Sequence, residues 1–224
     1  MYAKPSQPTV ATSIGSLALR NPIIAASGCA GYGREFAERF PLAQLGGLAA
    51  KALSLEPRHG NRPPRVVEVE AGMLNAVGLQ NPGWDAWLAT ELPWMLAQDV
   101  PIIQNLVGHT IADYVELARR IDATAVHAIE VNLSCPNVAD GMSFGADPDR
   151  VHEVTAAVRA VTAKPLWVKL TPQTSDVAAT AAAAADAGAN AVSLINTIPA
   201  MAIDIYRRRP VLRNNTGGLS GPAI

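Results

Sequence analysis

Basic residues form no run longer than Arg207-Arg208-Arg209 in these 224 residues, and the formal net charge is only -1. A surface that tracks phosphates needs clustered Lys and Arg, so a nucleic-acid-binding role is excluded. Cysteine is nearly absent: Cys29 and Cys135 stand far apart and form neither a Cys-x-x-Cys pair nor a disulfide framework. A reducing compartment is the natural setting. The four histidines, His59, His109, His127 and His152, lack the spacing of metal ligands, so no metal is expected. No uncharged apolar stretch approaches the length of a membrane span, and Met1 to Thr9 lacks the apolar core of a signal peptide. The expectation is a soluble, cytoplasmic protein that acts on small molecules.

What is present is apolar and patterned. With 49% hydrophobic and 17% charged residues, the chain can bury a sizeable core, and residues 1–224 read as a single domain. Six short apolar segments, each ending in small or polar residues, read as strands: Pro22 to Ala26, Gly47 to Ala50, Pro101 to Ile103, Ile129 to Leu133, Leu166 to Leu170 and Ala191 to Ile195. Helices lie between several of them. Thr110 to Asp122 has an apolar face and an N-cap in Thr110; Asp147 and Pro148 begin a second helix; alanine-rich Ser175 to Ala187 is stopped by Gly188. Nearly continuous apolar strands alternating with helices imply parallel strands buried on both faces.

Two architectures fit that alternation, an open doubly wound sheet and a closed (β/α)8 barrel. The first strand-to-helix turn, Ala26-Ser-Gly-Cys-Ala-Gly-Tyr-Gly33, lacks the glycine spacing of a dinucleotide fold, and polar residues end every strand rather than crowding one crevice. The TIM barrel is therefore favoured, with about six of its eight strands present. Thr216 to Ile224 reads as a loop entering a helix that the chain does not complete, so the barrel is expected to be C-terminally incomplete, with exposed apolar edges.

The chemistry concentrates at the strand ends. In Ala128 to Val138 a strand stops at Cys135, because Pro136 cannot continue a paired strand, and residues through Asp149 read as a movable surface loop. A thiol between a rigid strand and a cover suits a base or nucleophile; the alternative is a small buried cysteine. Lysine occurs only at positions 4, 51, 164 and 169, and Lys51 and Lys169 interrupt apolar runs, where an ammonium is costly unless an anion meets it or its stem carries it to water. Asn105, Asn132 and Asn196 end candidate strands, and Asn75 lies between strands. Singly these suit turns; converging, they suit a flat, amide-rich heterocycle such as a pyrimidine or flavin ring. Gly217, Gly218 and Gly221 permit close approach of backbone to a ligand, and Cys29 reads as a small structural loop residue.

Four stretches, Asn132-Leu-Ser-Cys-Pro-Asn137, Gly72-Met-Leu-Asn-Ala-Val-Gly-Leu-Gln-Asn-Pro82, Ile195-Asn-Thr-Ile198 and Gly217-Gly-Leu-Ser-Gly-Pro-Ala-Ile224, resemble dihydroorotate dehydrogenases, flavoproteins of pyrimidine synthesis, in the same order from about Leu17 onward. Met201-Ala-Ile-Asp204 is most similar to the NAD-linked class 1B branch. The resemblance implies a barrel with FMN at its strand ends, contacted by Ser27, Lys51, Ala52, Asn105, Asn132, Lys169, Ile195 and Gly221. It implies that dihydroorotate or orotate is held by Lys51, Asn75, Ala76, Val77, Gly78, Leu79, Asn132, Asn196 and Thr197, with Cys135 as the base. It further implies a homodimer and a separate FAD and iron-sulfur subunit that links the enzyme to NAD. The family's flavin phosphate is held by later glycine-rich loops, so weak FMN binding is the expectation for these 224 residues. Three competing readings remain: a dihydropyrimidine dehydrogenase-type flavoprotein, a Schiff-base aldolase using Lys169, and a non-catalytic remnant.

Overall fold

The computed structural model describes residues 10–134, 144–222 and 224. The chain opens with a hairpin, β1 (Thr12–Ile14) and β2 (Leu17–Leu19), then runs through β3 (Ile24–Ala25), α1 (Arg34–Ala37) and β4 (Gly47–Leu53). A second hairpin pairs β5 (Val66–Val69) with β6 (Gly72–Asn75). An irregular helical segment, α2 (Trp84–Ala86), a π-turn (Trp87–Glu91) and α3 (Leu92–Leu96), leads to β7 (Ile102–Leu106). The alternation then becomes regular: α4 (Ile111–Asp122), β8 (Ala128–Asn132), α5 (Pro148–Arg159), β9 (Leu166–Lys169), α6 (Val177–Asp186) and β10 (Ala191–Ser193). Four short strands follow, β11 (Ile198–Ala200), β12 (Ile203–Asp204), β13 (Arg209–Pro210) and β14 (Gly217–Ser220).

All six strands expected from the apolar segments form one parallel sheet, ordered β10-β9-β8-β7-β4-β3. Alternate residues face opposite sides of a strand, and here both sides are dry. On the outer side, Ile102, Leu106, Ile129, Val131, Leu166 and Val168 join the helices through Tyr114, Leu117, Val151 and Val154. On the inner side, Ala49, Ile103, Ala128 and Trp167 form a separate cluster against which Ile14 and Leu17 of the first hairpin pack, so the hairpin plugs that end. A curled parallel sheet with helices outside is the wall of a partial TIM barrel.

The helices begin where their caps dictate. Thr110 forms a capping box with Asp113, and the Asp147 carboxylate accepts from the Asp149 N–H. Asp176 caps α6, so this helix starts later than the expected Ser175, and Gly188 ends it with a φ of 93°.

Two expectations need correction. Gly217–Ser220 is strand β14, pairing antiparallel with β6 on one side and β11 on the other, rather than a loop entering a helix. It lies in a four-stranded antiparallel sheet, β11-β14-β6-β5, which no sequence pattern announced. The stretch expected to be a movable loop also meets packed structure at its far end. Phe144 is buried and packs edge-on against Tyr114 at 5.7 Å, and the Gly145 N–H donates to the Leu133 carbonyl. Residues 135–143, including Cys135, lie outside the described residues.

Candidate active site

A cavity of about 1210 Å³ lies at the carboxyl ends of the parallel strands, between them and the antiparallel sheet. The wall contributes Ser27 after β3, Lys51 and Ala52 of β4, Asn132 of β8, Lys169 of β9, and Ile195, Asn196 and Thr197 after β10. The cover contributes Asn75 at the end of β6, then Ala76, Val77, Gly78 and Leu79, with Gly217, Gly218 and Gly221 opposite. Of the expected site residues that are described, only Asn105 does not line this cavity. It lies inside β7 rather than at its tip, and it is fully buried one layer down. Cys29, expected to be a structural residue, is exposed and lines the cavity mouth.

A bulge aims Lys51. The pairing of β4 with β7 runs in step from Leu48 to Ala50 and resumes at Leu53 opposite Leu106, so Lys51 and Ala52 together oppose Asn105. Both therefore reach the inner side, where alternation would have turned one of them outward. The backbone groups that the bulge frees are satisfied locally. Lys51 N–H donates to the Gly31 carbonyl at 2.9 Å, and Gln104 Nε2 donates to the Lys51 carbonyl at 2.9 Å and to the Asn105 carbonyl at 2.8 Å. Burial pushes the Lys51 ammonium below the ordinary 10.5, the Arg65 guanidinium pushes the same way, and Glu35 opposes both. Lys169 lies half-buried across the cavity, and its ammonium makes no hydrogen bond or ion pair among the described residues.

Beside the lysines the amides are oriented. Asn132 Oδ1 accepts from Ser134 Oγ at 2.6 Å, from the Ser134 N–H at 3.2 Å and from Asn196 Nδ2 at 3.3 Å. That occupies the acceptor end of Asn132 and leaves its donor end for a ligand. Opposite, Asn75 Nδ2 donates to the Gly218 carbonyl at 3.4 Å, joining the two strands of the cover. The segment after Asn75 is tied to the wall by Asn81, whose Oδ1 accepts from the Ser54 N–H and whose Nδ2 donates to Ser54 Oγ and to the Leu79 carbonyl. Two ammoniums, oriented amides and a close backbone cover suit a planar, anionic ligand with amide edges.

Sequence reasoning missed the layer beneath. Glu130, 3% exposed, faces the barrel interior, where Asn105 Nδ2 donates to its Oε2 at 2.5 Å and Ser193 Oγ donates to its Oε1 at 2.6 Å. The signal was its parity: Glu130 and Asn132 are two apart on one strand and so share a face. Gln104 was missed because its role, filling a bulge, depends on pairing between two distant strands. Among the described residues no cluster of His, Cys, Asp and Glu could hold a metal, and no helix is long and apolar enough to cross a membrane.

Comparison with known proteins agrees with this geometry. The family model described as dihydroorotate dehydrogenase matches residues 9–224. The chain is 51% identical over 220 residues to the dihydroorotate dehydrogenase B (NAD(+)) catalytic subunit of Geobacter sp. strain M21, covering 97% of this chain and 72% of that one. The corresponding subunit of Anoxybacillus flavithermus is 51% identical over 217 residues, covering 96% of this chain and 70% of its own length. A crystal structure of a dihydroorotate dehydrogenase from Eimeria tenella, in complex with ferulenol, superposes with a TM-score of 0.73 at 19% identity over 99% of this chain and 67% of that one. That likeness supports the fold.

Proposed function

The chain belongs to the dihydroorotate dehydrogenase family, and from that premise we propose that it oxidises dihydroorotate to orotate in pyrimidine synthesis, as the catalytic subunit of an NAD-linked enzyme. The observation that carries this reading is the convergence of Lys51, Asn75, Asn132, Lys169 and Asn196 on one cavity. Its volume exceeds the roughly 300–1,000 Å³ of a single-ligand pocket, which leaves room for a flavin ring beside a pyrimidine. The residues fit FMN: Lys51 and Lys169 offset negative charge, and buried Asn105 Oδ1 has no partner among the described residues. Ser27, Ala52, Asn132, Ile195 and Gly221 would complete its binding site. FMN supplies the acceptor for the hydride that leaves C6 of dihydroorotate.

The chain's own residues do the rest. Lys51 meets the substrate carboxylate, and Asn75 through Leu79, Asn132, Asn196 and Thr197 hold the ring edges so that it cannot turn. Cys135, next in sequence to cavity-lining Ser134, takes the proton from C5 as thiolate; its unperturbed pKa of about 8.5 is close enough to neutrality for surroundings to favour that form. The cover excludes water from the ring. A separate subunit carrying FAD and an iron-sulfur cluster would link the catalytic subunit to NAD, and the catalytic subunit pairs with a second copy in the cytoplasm. The named relatives favour neither an aldolase nor a dihydropyrimidine dehydrogenase. The test is anaerobic mixing of FMN-loaded protein with dihydroorotate. Bleaching of the flavin absorbance is expected; bleaching by dihydrouracil but not dihydroorotate would replace this reading with the sister one.

A further inference from the structure

Glu130 and Ser193 have no part in the reaction as described, yet with Asn105 they lace three strands across the barrel interior: Asn105 on β7, Glu130 on β8 and Ser193 on β10. We propose that Glu130 is a positioning residue for the flavin, acting through Asn105 by fixing which end of that amide is presented to the ligand. The inference rests on the reading of the cavity as a flavin site.

An asparagine amide is nearly symmetric in shape, so packing alone does not choose between its oxygen and its nitrogen. A carboxylate chooses, because it only accepts. With Glu130 Oε2 at 2.5 Å, the Asn105 atom facing it must be Nδ2; the flipped amide would set two acceptors against each other. Ser193 Oγ, donating to Oε1 from the far side of β9, keeps the carboxylate from turning away. The consequence falls on Asn105 Oδ1. It is buried without a partner among the described residues, and such an acceptor is costly until a donor reaches it. Asn105 opposes the Lys51 and Ala52 bulge on one neighbouring strand and pairs with Glu130, two residues below Asn132, on the other. Lys51, Ala52 and Asn132 all line the cavity. The ligand group complementary to this place is a donor, which assigns a ring N–H of the flavin, and not a ring carbonyl, to Asn105.

Glu130→Gln keeps the shape of the side chain and removes the choice, because Gln offers a donor as readily as an acceptor. The measurement is the dissociation constant of the apo-protein for FMN and for riboflavin, which carries the same ring without the phosphate, followed by flavin fluorescence. Glu130→Gln is expected to weaken both about tenfold, the equivalent of one hydrogen bond. In an Asn105→Ala background the same substitution is expected to change neither. A merely structural role would lower the melting temperature and leave this coupling absent. If Glu130→Gln does not fold, Ser193→Ala, which frees the carboxylate, replaces it in the same cycle. Wild-type-like affinity in the variant, or an equal loss in both backgrounds, overturns the inference alone. A wild-type chain that binds neither flavin even at the highest soluble flavin concentration overturns the reading of the cavity and the inference with it.

Discussion

The parallel wall and the antiparallel cover meet across one cavity but hold their functional groups in different ways. Strands β4, β7 and β8 are buried on both faces and locked between neighbours, so a side chain at their ends has a fixed origin. The cover strands are half-exposed, and they are held by close approach of backbones. A Cβ added to Gly217 would lie 2.6 Å from the Asn75 carbonyl oxygen, and one added to Gly218 would lie 1.8 Å from Thr197 Oγ1. The wall can therefore carry charge at defined positions, including an ammonium turned inward by a bulge and a carboxylate buried beneath it. The cover contributes shape and main-chain hydrogen bonds. Chemistry and electrostatics should depend on the wall, and substrate fit on the cover.

The sharpest way to break that division is to remove the proposed base where the chain leaves β8. Cys135→Ala is expected to slow flavin reduction by dihydroorotate by about 10²–10⁴-fold while FMN and orotate still bind. Rapid reduction in stopped flow would remove Cys135 from its role. Next comes Lys51→Met, expected to lower kcat/KM about 100-fold through loss of a preorganised cation. The pH profile sharpens this. Lys51 acts as a cation, so its contribution is present below its pKa and is lost as pH rises through it; burial and Arg65 bring that loss below 10.5. The alkaline limb should move upward in Lys51→Arg, whose guanidinium stays charged. A limb that stays in place belongs to another group.

On the cover the expected effect is smaller and of another kind. Gly218→Ala would force Thr197 aside, because its Cβ as well as its oxygen lies too close. Overpacking of this sort costs about 1–3 kcal/mol. It should appear mainly as a rise of about tenfold in KM for dihydroorotate, with the flavin spectrum near that of the wild type and the melting temperature lowered by a few degrees. A fall in kcat with KM unchanged would place Gly218 in the chemistry and erase the contrast with the wall.

The wall was legible in the sequence and the cover was not, for physical reasons. Segments such as Leu166–Lys169 are apolar on both faces because parallel strands are covered on both sides, and that leaves a continuous signal. Thr110 and Asp147 were readable as caps because capping is local. Gly217–Ser220 carries the composition of a turn, and only its pairing with Met73, Leu74 and Asn75, far away in the chain, makes it a strand. The candidate site was legible where polar residues interrupt apolar runs, as at Lys51, Asn132 and Lys169. Asn105 was noticed but expected at a strand tip, since strand length could not show that β7 continues to Leu106. Glu130 and Gln104 stayed hidden because each serves a partner on another strand.

The smallest predicted effect tests whether the helical layer stands apart from this contrast. Thr110 caps α4 on the outer side of the wall, with its hydroxyl accepting from the Asp113 N–H at 3.2 Å while Asp113 Oδ2 accepts from the Thr110 N–H at 3.0 Å. Thr110→Ala removes half of this reciprocal pair, at a cost of about 1 kcal/mol. The Asp113 side also accepts from the His109 N–H at 2.9 Å, which keeps the helix start anchored. Stability to denaturant should therefore fall by about that amount, with kcat, KM and flavin affinity unmoved, because α4 touches the site through Tyr114, whose hydroxyl donates to the Asn132 carbonyl at 2.8 Å away from the cap. A change in orotate affinity accompanying the loss of the cap would mean that this Tyr114 bond transmits the position of the helix to Asn132.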